Sequence, residues 1–258
     1  MADHDDDALL AEFYPIPLAM DRFKQIEKEL REYVDEEISF SFDPSGTDLF
    51  SLMELRQSYA RRCVNFSETI KLLLKAGSVV PAAILGRALI ETVAMGSLFL
   101  TEMLDLTAKK NGEKLNVRLT RFYQGMSKEE VKPVHVMDAI RHLDKLDAAY
   151  IEHLDKRFGW FTRAKEVLAQ EKPDKPNALQ DAMSIEANYD RLSEVAHPNG
   201  IGVQFLYPDP SNENDVVEGA RQRYRRAAFQ SIWQCKHLLD ALDKTKDLPD
   251  KFRDAFIS

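Results

Sequence analysis

The sequence predicts an all-α fold, a multi-helix bundle of long antiparallel helices, and three observations predict it. Apolar residues recur at three- and four-residue intervals through most of the chain. The segment from Val79 to Leu100 is apolar on nearly all sides, the pattern of a helix enclosed by others. Turn-forming clusters such as Asp43-Pro44-Ser45-Gly46 and Pro208-Asp209-Pro210-Ser211-Asn212 separate the periodic segments.

Taken in order, an acidic N-terminal segment occupies residues 1–17 and includes the Pro15-Ile16-Pro17 break. From Leu18 to about Glu37, Met20, Phe23, Ile26, Leu30 and Val34 form an amphipathic stripe. Past the Asp43 turn, Thr47 or Asp48 is placed to cap a long helix that reaches Ala76 and stops at Gly77. Its stripe includes Leu52, Leu55, Tyr59, Cys63, Phe66, Ile70 and Leu73. Ser78 is the expected cap of the next helix, where Pro81 fits the first turn because its missing N–H has no intrahelical partner there. That central helix continues towards Lys109 and is expected to end at Asn111-Gly112.

A shorter helix is expected around Leu115 to Tyr123, followed by Ser127-Lys128-Glu129-Glu130 with capping-box spacing. Met137, Ile140, Leu143, Leu146, Tyr150 and Leu154 mark a helix over about 136–156, and Phe161 to Glu171 suggests another. Beyond the linker Lys172-Pro173-Asp174-Lys175-Pro176, Asn177 is placed to cap the helix that ends near His197. Residues 201–207 alternate and allow one short extended, hairpin-like segment. Val217, Ala220, Tyr224, Ala227, Ile232, Cys235, Leu238 and Leu242 predict one long final helix. The reading is a single helical domain over 18–247 with a short C-terminal tail helix over 248–258. Unequal helix lengths leave apolar surface, so a homodimer is expected.

Composition narrows the function. With 35 Lys and Arg against 43 Asp and Glu, a net charge of -8, the whole molecule does not attract nucleic acid, and any such contact needs a local basic patch. The two cysteines, Cys63 and Cys235, lack the close spacing of a zinc knuckle or redox pair. With an acidic start lacking secretory features, a reduced cytoplasmic protein is expected. Arg87 and Glu91 interrupt the most apolar segment, which favours a buried helix over a membrane span. His135, His142 and His153 have no metal-ligand spacing, so neither a metal nor a cofactor is expected. There is no phosphate loop, nucleophile elbow or dinucleotide fingerprint, which argues against ordinary NTPases, hydrolases and dehydrogenases.

The chemistry concentrates at Tyr189-Asp190-Arg191-Leu192-Ser193-Glu194-Val195-Ala196-His197-Pro198. Glu186, Tyr189, Ser193 and His197 climb one face of the helix. Pro198 places His197 in the last turn, where the helix dipole favours imidazolium and a histidine is suited to shuttling protons. Arg191 supplies planar donors suited to phosphate. Six residues on a helix sweep about 240°, so Arg191 and His197 do not share a face within one chain; a distorted end or a second subunit would bring them together. In the central helix, Arg87 and Glu91 are four apart in the weaker Arg-first order. They are therefore expected to reach Tyr189, Arg191, Ser193 or His197 instead, in one buried polar network. Arg221, Arg223, Arg225 and Arg226 surround Tyr224, a possible stacking surface, and form a candidate RNA-binding cluster. A solvated helix face paired to acids is the alternative reading of that run.

The stretch Arg191-Leu192-Ser193-Glu194-Val195-Ala196-His197, set in an all-α chain, resembles the HEPN superfamily, whose signature is an Arg followed after four to six residues by His near a helix end. Gly86-Arg87-Ala88-Leu89-Ile90-Glu91-Thr92 adds to the resemblance, which looks closest to an uncharacterised bacterial branch. The resemblance implies a homodimeric, metal-independent endoribonuclease in a defence or toxin–antitoxin setting, with RNA as substrate and an antitoxin or regulatory protein as partner. Arg191 would stabilise phosphate charge. His197 would assist attack by the ribose 2′-hydroxyl or protonate the leaving oxygen. Leu192 stands where a polar residue such as Asn commonly follows the Arg, and the superfamily has non-catalytic members. The competing reading is therefore a helical interaction or regulatory module that uses the same network structurally or to hold a small ligand.

Overall fold

A computed structural model describes residue 9 and residues 17–35, 47–124, 135–158, 184–196 and 215–256. Among these residues every regular element is a helix: α1 (Pro17–Asp35), α2 (Thr47–Lys75), α3 (Val79–Ala108), α4 (Gly112–Gln124), α5 (Val136–Phe158), α6 (Ile185–Ala196), α7 (Asp215–Trp233), α8 (Cys235–Lys244) and α9 (Leu248–Phe256). The protein is an all-α bundle. The expected extended segment at 201–207, the helix at Phe161 to Glu171, the capping box at Ser127 and the Asn177 cap lie outside the described residues.

α3 is the hub. It packs against α2, α4, α5, α6, α7, α8 and α9, which explains why so much of its surface is apolar. By length and composition it is able to cross a membrane, yet most of its apolar window is buried by its neighbours. Two glycines let those neighbours approach. A Cβ on Gly86 would stand 3.1 Å from the Ala228 Cα and 3.1 Å from the Ser231 Oγ on α7. One on Gly96 would stand 2.8 Å from a Leu238 methyl on α8.

The helix ends follow from backbone chemistry. α2 stops where Gly77 turns left-handed at φ 71°, with Ser78 N–H donating to the Leu73 carbonyl and Gly77 N–H to that of Leu74. α3 closes in the same pattern, with Lys110 as the left-handed residue at φ 50°, just ahead of the expected stop at Asn111-Gly112. Gly112 instead opens α4, and the Asn111 side chain accepts from Lys114 N–H at 3.2 Å as its cap. Ser78 precedes α3 as expected, but its side chain makes no capping bond.

The single long final helix is corrected to two. Gln234 separates α7 from α8, with Gln234 N–H donating to the Ser231 carbonyl and His237 N–H to that of Gln234, a three-residue winding at the junction. The buried Arg56 on α2 then caps the far end of α8, donating to the carbonyls of Thr245 at 2.5 Å and Leu242 at 3.2 Å and to the Tyr33 hydroxyl at 3.2 Å. α9 joins the same core through Leu248 and Phe252.

Cys63 and Cys235, 172 positions apart by their numbering, meet in this core as free thiols in mutual contact, and Ser67 lies 3.8 Å from the Cys235 sulfur. Burial first, then the Cys235 neighbour, pushes the Cys63 thiol well up.

Candidate functional site

α6 positions the candidate site. It begins at Ile185, one residue after Ser184, whose Oγ accepts from Ala187 N–H at 3.3 Å. Asp144 on α5 adds a second cap, its carboxylate accepting from Ile185 N–H at 2.8 Å. Charge from a neighbouring helix therefore fixes the start of α6. Ile185, Leu192 and Val195 anchor it in the core, leaving two polar seams.

The first seam faces α3. The Tyr189 hydroxyl donates to Glu91 Oε1 at 2.8 Å, Arg87 Nη2 donates to the Tyr189 hydroxyl at 3.1 Å, and Arg87 Nε donates to the same Glu91 oxygen at 3.2 Å. The Arg87 guanidinium also lies 5.2 Å from the Tyr189 ring centre. Arg87 and Glu91 thus reach Tyr189 as well as each other, whereas the expectation had them reaching out instead of pairing. Burial raises the Tyr189 pKa, the bond to Glu91 adds to the rise, and Arg87 offsets part of it. For Arg87, burial opposes the charge, but Tyr189 and Glu91 outweigh it and raise its pKa. Arg87 is thereby held charged and Tyr189 neutral.

Ser193 and Arg191 do not join the triangle. Ser193 Oγ donates to the Tyr189 carbonyl one turn earlier, at 2.7 Å, and Glu186 lies 3.7 Å from Arg141 on α5. Arg191 is two residues from Tyr189, about 200° around the helix, and so belongs to the second seam, against α7. There it donates to the Asn188 side-chain oxygen at 3.1 Å, and Asn188 in turn donates to Gln230 on α7 at 3.3 Å. Farther along the seam the buried Tyr224 donates to Glu194 at 3.1 Å. Burial and Glu194 raise the Tyr224 pKa, while the nearby charges of Arg223 and Arg191 pull it down. The charges of Arg191 on α6 and Arg223 on α7 are thus both felt at this hydroxyl, but burial and Glu194 outweigh them. His197 lies outside the described residues, one position beyond the end of α6.

The candidate RNA-binding arginines divide between two faces of α7. Arg223 and Arg226 are exposed, Arg225 is half-buried, and the partly covered Arg221 lies 3.5 Å from Glu218. Tyr224 is corrected as a stacking surface: its ring is buried against the core and its hydroxyl is taken by Glu194. Among the described residues no three His, Cys, Asp or Glu side chains gather into a set that would hold a metal ion.

Sequence reading missed Asn188 and the Glu194–Tyr224 bond. Asn188 carried a signal, being a polar residue three after Ile185 and four before Leu192 on the buried face. It also missed Lys236 and His237, which interrupt the apolar stretch of α8 as Arg87 and Glu91 interrupt α3. No family model, curated protein or solved structure matches the chain.

Proposed function

We propose that this chain is a HEPN-like, RNA-binding helical protein acting as a metal-independent endoribonuclease, with Arg191 and His197 as the cleaving pair. One observation carries the reading: the Arg191 guanidinium is hydrogen-bonded to the Asn188 side-chain amide on the α6–α7 seam, in the helix whose next residue in sequence is His197. On an acidic protein such a local cationic site is what a phosphodiester needs. Arg191 is bound to a neutral amide, so its charge is kept for a phosphate. In the reaction the ribose 2′-oxygen forms a bond to phosphorus and the bond to the 5′-oxygen breaks. His197 takes the proton from the 2′-hydroxyl or delivers one to the leaving oxygen. A homodimer would pair two such seams, and a defence or toxin–antitoxin role would require a partner that restrains them.

A second reading rests on a different observation. Tyr189, Arg87 and Glu91 satisfy one another, and Ser193 is satisfied by its own helix, so this polar stripe needs no ligand. In that reading the chain is a non-catalytic interaction or regulatory module. Mixed cellular RNA incubated in chelator with wild-type protein, His197→Ala and Arg191→Ala separates the two. Cleavage by wild type that both variants lose supports the nuclease, whereas no cleavage, or equal cleavage by all three, leaves the interaction module.

A further inference from the structure

A second cluster of ionisable side chains lies away from α6, where α8 meets α5. Lys236 Nζ and His237 Nε2 both contact Asp147 Oδ1, at 2.5 Å and 3.0 Å. All three residues are buried, with relative exposures of 1% for Lys236, 3% for His237 and 5% for Asp147. The Lys236 ammonium also lies over two rings, 4.5 Å from the centre of Tyr150 and 5.1 Å from that of Trp233, and the His237 ring stands edge-on to Tyr150 at 6.4 Å.

The arithmetic of charge decides what this cluster does. An ionised Asp147 is only an acceptor, so His237 Nε2 carries the proton in their bond, and the neutral ring is the Nε2–H tautomer. Asp147 brings one negative charge and Lys236 already neutralises it. A second proton on His237 places an uncompensated cation beside Lys236, in a site closed to water.

The surrounding elements do little to absorb that cation. α1 contributes Arg22, another positive charge, and α8 contributes Asp240. α2 faces α8 with the neutral Cys63 and, at the far end, with Arg56. α3 meets it at Gly96, against Leu238, and α7 contributes the Trp233 ring. On α5 itself, Asp144 and Arg141 turn towards α6, Asp138 pairs with Arg141, and the exposed Glu152 pairs with Lys156. Burial accordingly lowers the His237 pKa despite the bond to Asp147.

We infer that Asp147, Lys236 and His237 form an acid-sensitive latch, which holds α8 against α5 while His237 is neutral and loosens α8 when His237 is protonated. The break at Gln234 makes α8 a separate ten-residue unit, able to loosen without unwinding α7. His142 is the competing source of acid sensitivity: it sits on α5, and burial and then Lys145 lower its pKa.

The test is amide hydrogen exchange on the full chain at about pH 7.5 and about pH 5.5, corrected for intrinsic rates, for wild type, His237→Gln and His142→Gln. Gln keeps a donor towards Asp147 and cannot titrate. In wild type and His142→Gln, opening of the α8 amides is expected to increase at the lower pH, up to a limit of about tenfold set by one proton taken up a pH unit below an ordinary histidine value. Opening of α3 should rise less, and His237→Gln should abolish the change in α8. An α8 response no larger than that of α3, or one that persists in His237→Gln, overturns the latch. Should that variant fail to fold, histidine C2 exchange in the wild type decides the matter. A His237 titrating below the ordinary value of about 6.5 supports the latch, and one at or above it refutes it.

Discussion

Tyr189 and Glu91, 98 positions apart, are joined by a 2.8 Å hydrogen bond, and the oxygen that accepts it also accepts from Arg87. The bond ties α6 to the hub helix α3 at a point where neither partner is fully enclosed. Tyr189→Phe should therefore lower stability by roughly 1 kcal/mol, the usual scale for one such bond. A urea-denaturation cycle with Glu91→Gln checks it, since strictly additive losses would show that the two side chains do not cooperate.

Gly86 sits beside this triangle and brings α3 against α7. Gly86→Ala gains helix propensity of about 1 kcal/mol, but the new methyl meets the Ala228 backbone at 3.1 Å, which cannot swing aside as a side-chain end would. The net expectation is a destabilisation of about 1–2 kcal/mol, read as a lower urea midpoint with an unchanged slope. A variant more stable than wild type would mean that α7 yields at little cost.

Asp147 is the only carboxylate bonded to the buried Lys236 among the described residues. Asp147→Asn strands that ammonium and should cost about 3–5 kcal/mol, while the double variant Asp147→Asn with Lys236→Met should recover most of the loss. The acid limb carries the same signature. Burial opposes the Asp147 charge, but His237 and Lys236 outweigh it and hold its pKa below the ordinary 3.8. Its contribution is thus complete above about pH 3.8 and is lost as pH falls through the lower, folded-state value. Denaturation curves below about pH 4 should accordingly be flatter for Asp147→Asn than for wild type.

The thiols offer a chemical check on the core. Both cysteines have 0% exposure, and burial drives the Cys63 pKa well above its ordinary value. An aromatic disulfide reagent at about pH 8 should therefore titrate neither thiol in the native protein and both in urea. Rapid native labelling would contradict the packing of α2 against α8.

For the proposed function, Arg191→Ala and Arg223→Ala should each weaken RNA binding across sequences and reduce the slope of log affinity against log salt by about one. Filter binding at several salt concentrations reads this directly. An unchanged slope in both variants would remove the α6–α7 seam from the RNA-binding surface.

Much of the helical architecture was legible because it rests on local rules. The apolar period placed α1, α2, α3 and α5, and the all-round apolarity of Val79 to Leu100 marked the hub. The left-handed turn at Gly77 followed from glycine chemistry, whereas the one at Lys110 did not, because a lysine there carries no local signal. The break at Gln234 was equally silent: neither glycine nor proline marks it, and the apolar stripe runs on through it.

By itself the sequence determined that Tyr189 and Ser193 share a face, that Arg191 and His197 do not, and that Arg87 and Glu91 need partners. Each of these follows from helical spacing or from the cost of buried charge. Only the tertiary structure decided who the partners are: Tyr189 for Arg87 and Glu91, Asn188 for Arg191, and Asp147 for both Lys236 and His237. The reason is physical. A helix's period states which side chains face inward, but which of them meet depends on the rotation and height of each helix against α3, and those are set by the packing of the whole core.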